Sequence, residues 1–140
     1  SSPALIRELH GNMQMLVCLN CRERYPISIV KERYAHSEDP PSCEYCRGIL
    51  KPDVVFFGEA LPQQILAQAM REAEECDVMI VIGSSLVVYP AAYVPIQARR
   101  AGAKLVIINR GETEQDAMAD VRIDDAAGVT MTKIIERIKG

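Results

Sequence analysis

Long apolar runs, an excess of basic residues and a signal peptide are all missing from this sequence. The longest apolar runs, at residues 78–82 and 105–108, fall far short of the roughly 20 residues that cross a bilayer. The 16 basic and 19 acidic side chains give a net charge of −3, which disfavours non-specific binding to a nucleic-acid backbone. We therefore expect no membrane segment and no direct contact with nucleic acid.

Cysteine is scarce too, but four of the five cysteines form two Cys-x-x-Cys pairs, Cys18 with Cys21 and Cys43 with Cys46. Two such pairs can direct four thiolates at one ion, which makes the closed tetrahedral site of a structural zinc. Two disulfides are the alternative. The odd cysteine, Cys76, and the lack of a signal peptide favour reduced thiols. We predict a zinc site in a cytoplasmic protein, or a nuclear one in a eukaryote.

After the cysteines, short β-branched runs alternate with helical stretches, a pattern typical of βα units around a parallel sheet. The sequence predicts an extended segment at residues 54–57, strands at 77–83, 104–109 and 120–124, and helices at 62–75, 90–100 and 129–139. These elements amount to about half of a doubly wound nucleotide-binding sheet. One edge of that sheet would be unpaired unless a partner or a second copy covers it.

Small and polar residues follow two of the predicted strands, where a sheet of this type binds its ligands. The turn at residues 83–85 could bind phosphate or ribose, although the same residues suit an ordinary strand-to-helix turn. The segment at residues 109–111 could meet a ribose hydroxyl, although asparagine near glycine also begins many loops.

Tryptophan is absent, and only two histidines are present, His10 and His36. His10 could act as a general base on a sugar hydroxyl near neutral pH, or it could be an ordinary loop or capping residue. Phe56 and Phe57 are adjacent, so on an extended segment one points each way. We expect Phe57 to face a ligand, with core packing as the alternative.

These features occur in one order along the chain, and that ordered set resembles the sirtuin family of NAD-dependent protein lysine deacylases. The motifs are Glu8-Leu-His-Gly-Asn12, the two cysteine pairs, residues 51–62 (KPDVVFFGEALP), residues 83–90 (GSSLVVYP) and residues 109–113 (NRGET). The resemblance implies an α/β fold: the C-terminal half of a doubly wound Rossmann-like parallel sheet plus a small four-cysteine zinc-ribbon module. It implies a stub with the catalytic histidine motif at residues 1–14, the zinc module at 15–50 and a partial Rossmann-like NAD and acyl-lysine subdomain at 51–140.

The resemblance also implies an activity, which is removal of acetyl or other acyl groups from protein lysines with release of nicotinamide and O-acyl-ADP-ribose. His10 would be the catalytic base, and Zn²⁺ would be bound by Cys18, Cys21, Cys43 and Cys46. The implied NAD-site residues are Gly83, Ser84, Ser85, Asn109, Arg110, Gly111, Ala126 and Ala127. The acylated peptide would add as a strand in a cleft with Val55, Phe57, Gly58 and Glu59 on one side and Leu86, Val87 and Val88 on the other.

Three family segments that precede the catalytic histidine are not found in this sequence: a Gly-Ala-Gly-Ser phosphate loop, a lid and a Gln-Asn-Ile-Asp motif. Orientation of reacting groups can lower a barrier by about 7 to 11 kcal/mol, so we expect the 140-residue chain alone to be inactive or nearly so. Its expected partners are an N-terminal half, a second polypeptide, or a second copy at the sheet edge. The alternative function is a non-catalytic, zinc-stabilised peptide-binding or scaffold module derived from a sirtuin.

Overall fold

The computed structural model describes residues 5–36 and 39–140, which fall into two compact units. The first unit ends at Pro62 and the second comprises Gln63–Gly140. Residues 1–4 of the expected stub lie outside the described residues. The first unit extends past the expected end of the zinc module at residue 50, because the strand that begins there pairs with an earlier strand of the same unit.

The first unit is built on a small antiparallel sheet, with strand order β2-β1-β3. Its elements are β1 (Gly11–Cys18), β2 (Arg24–Pro26), α1 (Ile27–Arg33) and β3 (Leu50–Val54). The extended segment expected at residues 54–57 is wrong, since the strand occupies residues 50–54 instead. Lys, Pro and Asp are poor strand formers, but β3 lies at the edge of the sheet, where a proline is tolerated. Pairing with β1 is therefore what makes residues 50–54 a strand.

The second unit contains a parallel three-stranded sheet with strand order β4-β5-β6. Its elements are α2 (Gln63–Glu75), β4 (Val78–Ile82), α3 (Tyr93–Ala101), β5 (Lys104–Ile108), a 3₁₀ helix (Asp116–Met118), β6 (Val121–Ile123) and α4 (Ala127–Lys139). The predicted parallel strands and helices are confirmed. Helix α3 begins three residues later than expected, because residues 89–92 form a turn.

The two faces of this parallel sheet differ in burial. Leu105 and Ile107 of β5 are fully buried and pack with Val81 of β4. The alternate side chains of β4 point to the opposite face, and there Ile80 and Ile82 are about half exposed. Within the described residues, β4 pairs with β5 alone. The sheet therefore has an open edge beside a partly uncovered apolar face.

Membrane insertion is not indicated by the helices. Among residues 5–36 and 39–140, none forms a helix that is both long and apolar enough to cross a bilayer.

We expect Leu105→Ala to lower the free energy of unfolding by about 2 to 5 kcal/mol, because the substitution leaves a cavity in a fully buried cluster. Ile80→Ala is the matched control on the other face of the sheet. Its loss should be about 1 kcal/mol, since half of this side chain is already in water. Urea denaturation followed by circular dichroism measures both, and equal losses would contradict the assignment of the core face.

Candidate functional site

Four cysteine sulfurs converge in the first unit, all within 4.8 Å of one another. The Sγ atoms of Cys18 and Cys46 are 3.5 Å apart, as are those of Cys21 and Cys43, and none is disulfide-bonded. A tetrahedral zinc with Zn–S bonds of about 2.3 Å places its sulfurs about 3.8 Å apart. The four thiols therefore fit a structural Zn²⁺ with only small movements.

The two cysteine pairs have the same backbone geometry. The amide of Arg22 donates to the carbonyl of Cys18, and the amide of Arg47 donates to the carbonyl of Cys43, each at 3.0 Å. Both arginines have positive φ, 66° and 59°, so the chain reverses immediately after each pair. Gly48 follows the second reversal, where a Cβ atom would lie 2.8 Å from the Cys18 sulfur. Only glycine fits there without displacing a zinc ligand.

A buried tyrosine lies against this thiol cluster. The Tyr25 hydroxyl is 3.2 Å from the Cys43 sulfur, and this contact lowers the pKa of Cys43 to about 6. For Cys21, the backbone amide of Glu23 acts to lower the pKa, but burial and the neighbouring thiols raise it to about 12. Cys21 and Cys43 thus do not ionise over the same pH range by themselves. A divalent cation would supply the missing positive charge as the protons leave.

The predicted catalytic histidine lies in an exposed turn just before β1. The His10 carbonyl accepts a hydrogen bond of 3.0 Å from the amide of Val55. Gly11 has a φ of +70°, and a Cβ atom there would lie 1.9 Å from the Asp53 carbonyl oxygen. The structure therefore brings the backbone of His10 next to the segment that was predicted to bind acyl-lysine.

That segment leaves β3 and turns at residues 56–59. The Phe57 side chain is 98% exposed, so it does not belong to the core. Gly58 has a φ of +87° and lies in the turn. The carboxylate of Glu59 is directed at Lys51 rather than outward from the turn.

A cavity of about 310 Å³ lies at the carboxyl edge of the parallel sheet. Its lining residues are Gly83, Asn109, Arg110, Asp125, Ala126 and Ala127. They follow the ends of β4, β5 and β6, the edge at which sheets of this type bind nucleotides. The structure thus brings together five of the eight residues predicted for NAD. Asp125 was missed, although its place just after β6 was a signal in the sequence.

The three other predicted NAD-site residues do not line this cavity. The hydroxyl of Ser84 accepts from the amide of Leu86 at 3.3 Å. The carbonyl of Ser85 accepts from the amide of Glu114 at 3.4 Å. The amide of Gly111 donates to Asp124 at 3.1 Å. Here they shape the loops that carry the cavity residues.

Arg122 on β6 organises the loop that follows β5, and sequence reasoning missed it. Its guanidinium donates to the carbonyl of Asn109 at 2.9 Å and also to the carbonyl of Gly111. Its Nε donates to Asp116 at 2.9 Å. The hydroxyl of Thr113 donates to Asp116 at 2.6 Å and is the main reason that the pKa of this carboxyl is lowered. An isolated arginine in a short strand gave no signal of this role.

The predicted acyl-lysine residues of the second unit fall into two groups. Leu86 has a φ of +58° and is buried with Val81, Ala92 and the β5 side chains. Val87 and Val88 are exposed. The accessible apolar surface on this segment therefore comes from the two valines.

A family model described as the Sir2 family matches residues 2–90 of this sequence. The chain belongs to the Sir2 family. The sirtuin resemblance predicted from the motifs is therefore confirmed.

Curated relatives of this Sir2 chain are named as NAD-dependent enzymes. It is 47% identical to NAD-dependent protein deacylase 2 of Archaeoglobus fulgidus, over 96% of this chain and 53% of the relative. It is 44% identical to an NAD-dependent protein deacetylase of Thermodesulfovibrio yellowstonii, over 94% of this chain and 52% of the relative. The chain spans about half the length of the curated relatives it matches.

Solved Sir2 structures share its fold. A Sir2 protein bound to a propionylated peptide has a TM-score of 0.87 and 40% identity, covering 94% of this chain and 55% of the other. A complex described as Sir2, p53 peptide and NAD+ has the same TM-score and identity, covering 94% and 54%. The predicted α/β fold with a four-cysteine site is confirmed, and NAD-dependent relatives together with the cysteine cluster agree with the predicted cofactors, NAD and zinc.

We expect the purified protein to contain one zinc ion per chain, and Cys43→Ser to remove it because three thiolates hold the ion more weakly than four. Cys76→Ser is the matched control, since Cys76 lies outside the cluster. Elemental analysis by mass spectrometry gives the zinc content. Retention of a full equivalent of zinc by Cys43→Ser would contradict the four-thiolate site.

The pKa of Asp116 lies below its ordinary value of 3.8, so its charged form stabilises the fold above that pH. This stabilisation is lost as the pH falls through the lowered pKa. We expect Asp116→Asn to lower the melting temperature at pH 7, and the difference from the unsubstituted protein to shrink in acid. Glu112→Gln, a change at an exposed neighbouring carboxylate, should have little effect. A pH-independent difference for Asp116→Asn would rule out the charge as the cause.

Proposed function

We propose that this chain is the part of an NAD-dependent protein deacylase that carries the catalytic base, the structural zinc and portions of the NAD and acyl-lysine sites. The observation that carries the proposal is the cavity after β4, β5 and β6, because its lining contains five residues predicted to bind NAD. The names of the relatives support the same activity.

The chemistry proposed for these residues is divided between binding and proton transfer. When bound, NAD supplies the sugar carbon that takes the acyl oxygen as nicotinamide leaves. The imidazole of His10 would take a proton from a ribose hydroxyl, as a general base. Gly83 and Asn109 would hold the nucleotide, since Gly83 has no side chain to obstruct it and Asn109 offers its amide oxygen to a ribose hydroxyl. The amide nitrogen of Asn109 donates to the carbonyls of Arg110 and Gly111. The ribose oxygen that loses its proton to His10 would bond to the acyl carbon. With one molecule of water consumed, the bond from that carbon to the lysine nitrogen would break, so the products would be a free lysine, nicotinamide and O-acyl-ADP-ribose.

The substrate proposed for this activity is an acylated lysine in a protein or peptide. In the first unit, the exposed ring of Phe57 supplies apolar surface suited to a lysine stem. In the second unit, Val87 and Val88 are exposed apolar side chains. Extended peptides bind by backbone hydrogen bonds with side chains in pockets, and the exposed ring of Phe57 offers a contact for such a side chain. The side chain of Leu86 is in the core, so Leu86 would act on the substrate only by positioning the adjacent Val87 and Val88.

Turnover is proposed to require polypeptide beyond these 140 residues. The relatives are about twice as long, and β4 has a strand on one side only among the described residues. The half-exposed Val78, Ile80 and Ile82 are the surface that such a segment would cover, whether it is an N-terminal half or a second polypeptide. A second copy of the chain at the same edge is the other arrangement that would cover it.

The test is an assay of nicotinamide release from NAD with an acetyl-lysine peptide. The chain alone should be nearly inactive, and adding the part of the Archaeoglobus fulgidus relative that this chain does not match should produce activity. In the active mixture, His10→Ala should lower the rate by about 10² to 10⁴, the usual contribution of a general base, with peptide affinity retained. His36→Ala is the matched control because His36 is the other histidine in the sequence. Full activity of His10→Ala, or of the chain alone, would contradict the proposal.

The exposed Phe57 turn and the zinc site share the first unit, and this favours a second candidate function, a non-catalytic zinc-stabilised peptide-binding or scaffold module. In that case the chain would bind acylated peptide while no added segment restored nicotinamide release. Measurement of peptide affinity beside the activity assay distinguishes the two functions.

A further inference from the structure

Lys51 is unusually well covered for a lysine, with a side chain that is only 17% exposed. Its ammonium lies 2.5 Å from Oε1 of Glu59 and also contacts Oε2. The same ammonium is 4.4 Å from the centre of the Phe56 ring, within the range of a cation–π contact. Lysine is rarely covered to this extent unless it is paired, and here the carboxylate and the ring cover it together.

The carboxylate of Glu59 also closes the turn to which it belongs. Oε2 accepts a hydrogen bond of 3.0 Å from the amide of Phe56, and the amide of Glu59 donates to the carbonyl of Phe56, also at 3.0 Å. Gly58 has a φ of +87°, which suits the third position of a type II turn. Phe57 occupies the position before it. The turn thus holds Phe57 outward by two hydrogen bonds that both involve Glu59.

The lysine end of this arrangement is anchored in the sheet. Lys51 pairs with Val17, and the adjacent pair joins Leu50 to Cys18, a predicted zinc ligand. The turn is therefore tied to a strand that starts at the metal site. The Lys51 hydrogen bond is also the main cause of the lowered pKa of Glu59, followed by the amide of Phe56.

We propose that Lys51 and Glu59 are positioning residues for acyl-lysine peptide binding: together with the ring of Phe56 they form a clasp that fixes the turn at residues 56–59 and presents Phe57. The identity of the peptide rests on the proposed function, whereas the ordering of the turn does not. The sequence placed Glu59 in the cleft itself, but its carboxylate is committed to Lys51 and Phe56. Loss of the clasp would leave the turn to be ordered when peptide binds, and such ordering weakens affinity.

The clasp has a spectroscopic signature that requires no ligand. The amide proton of Phe56 should change its NMR chemical shift with pH as Glu59 titrates, with a midpoint below the ordinary pKa of 4.5. Glu59→Gln should abolish this titration. Lys51→Met should raise its midpoint, because the nearby positive charge is lost, and Lys51→Arg should return it toward the original value. A Phe56 amide that ignores pH, or a midpoint that Lys51→Met leaves unchanged, would overturn the clasp.

Peptide binding then tests what the clasp does. Fluorescence anisotropy with a labelled acetyl-lysine peptide should show affinity lowered about three- to tenfold in Lys51→Met and in Glu59→Gln, a range that corresponds to the net contribution of one ordinary hydrogen bond. Lys51→Arg should restore most of it. Glu44→Gln is the matched control, because Glu44 pairs with Arg33 at 2.6 Å elsewhere in the first unit.

The two measurements separate the possible failures. Unchanged affinity in Lys51→Met, with an altered Phe56 titration, would refute the positioning role while leaving the clasp in place. If the unsubstituted 140-residue chain binds no acetyl-lysine peptide, the proposed substrate is wrong for this chain. The Phe56 titration would still decide whether the clasp orders the turn, so the two ideas do not fail together.

Discussion

The convergence of four thiols on one point constrains nearly everything else in the first unit. Cys18 ends β1, and the second cysteine pair directs the chain into β3 two residues after Gly48. A metal at this point fixes the register between β1 and β3, because Cys18 lies opposite Leu50. The same register sets Lys51 opposite Val17. Between Leu16 and Gly11 the pairing with β3 shifts, so the turn that carries His10 is held by a contact of its own, the hydrogen bond from the amide of Val55 to the carbonyl of His10.

The second unit depends on a different rule, the common direction of its three strands. Because β4, β5 and β6 run parallel, their carboxyl ends meet at one edge and three separate loops can line one cavity. Arg122 then donates a hydrogen bond to a carbonyl of the loop after β5, and Asp116 in turn accepts a hydrogen bond from Arg122. The loop after β5, which contributes residues to the cavity, is therefore held in place by a side chain of the neighbouring strand β6. Local polar networks of this kind are ordered only if each member has its partners.

Sequence patterns predicted the parts of the molecule that depend on spacing within the chain. The cysteine pairs and the alternation of strand and helix are both local signals. The antiparallel sheet of the first unit was missed because Lys51, Pro52 and Asp53 have low strand propensity, and only pairing with β1 makes them a strand.

The contacts that sequence reasoning missed join residues that lie far apart along the chain, or residues that meet only because the chain reverses direction between them. Arg122 reaches carbonyls 11 and 13 residues away, and Lys51 meets Glu59 only because the turn at Gly58 reverses the chain. Leu86 is buried and its backbone has a positive φ, neither of which its residue type indicated. The roles of the site residues stay predictions.

The half-exposed face of β4 affects how long this protein persists in a cell. A strand edge beside Val78, Ile80 and Ile82 is the kind of surface that chaperones hold and proteases reach. Local opening at β4 would then be the first step by which the folded protein is lost, and covering this face would lengthen its lifetime.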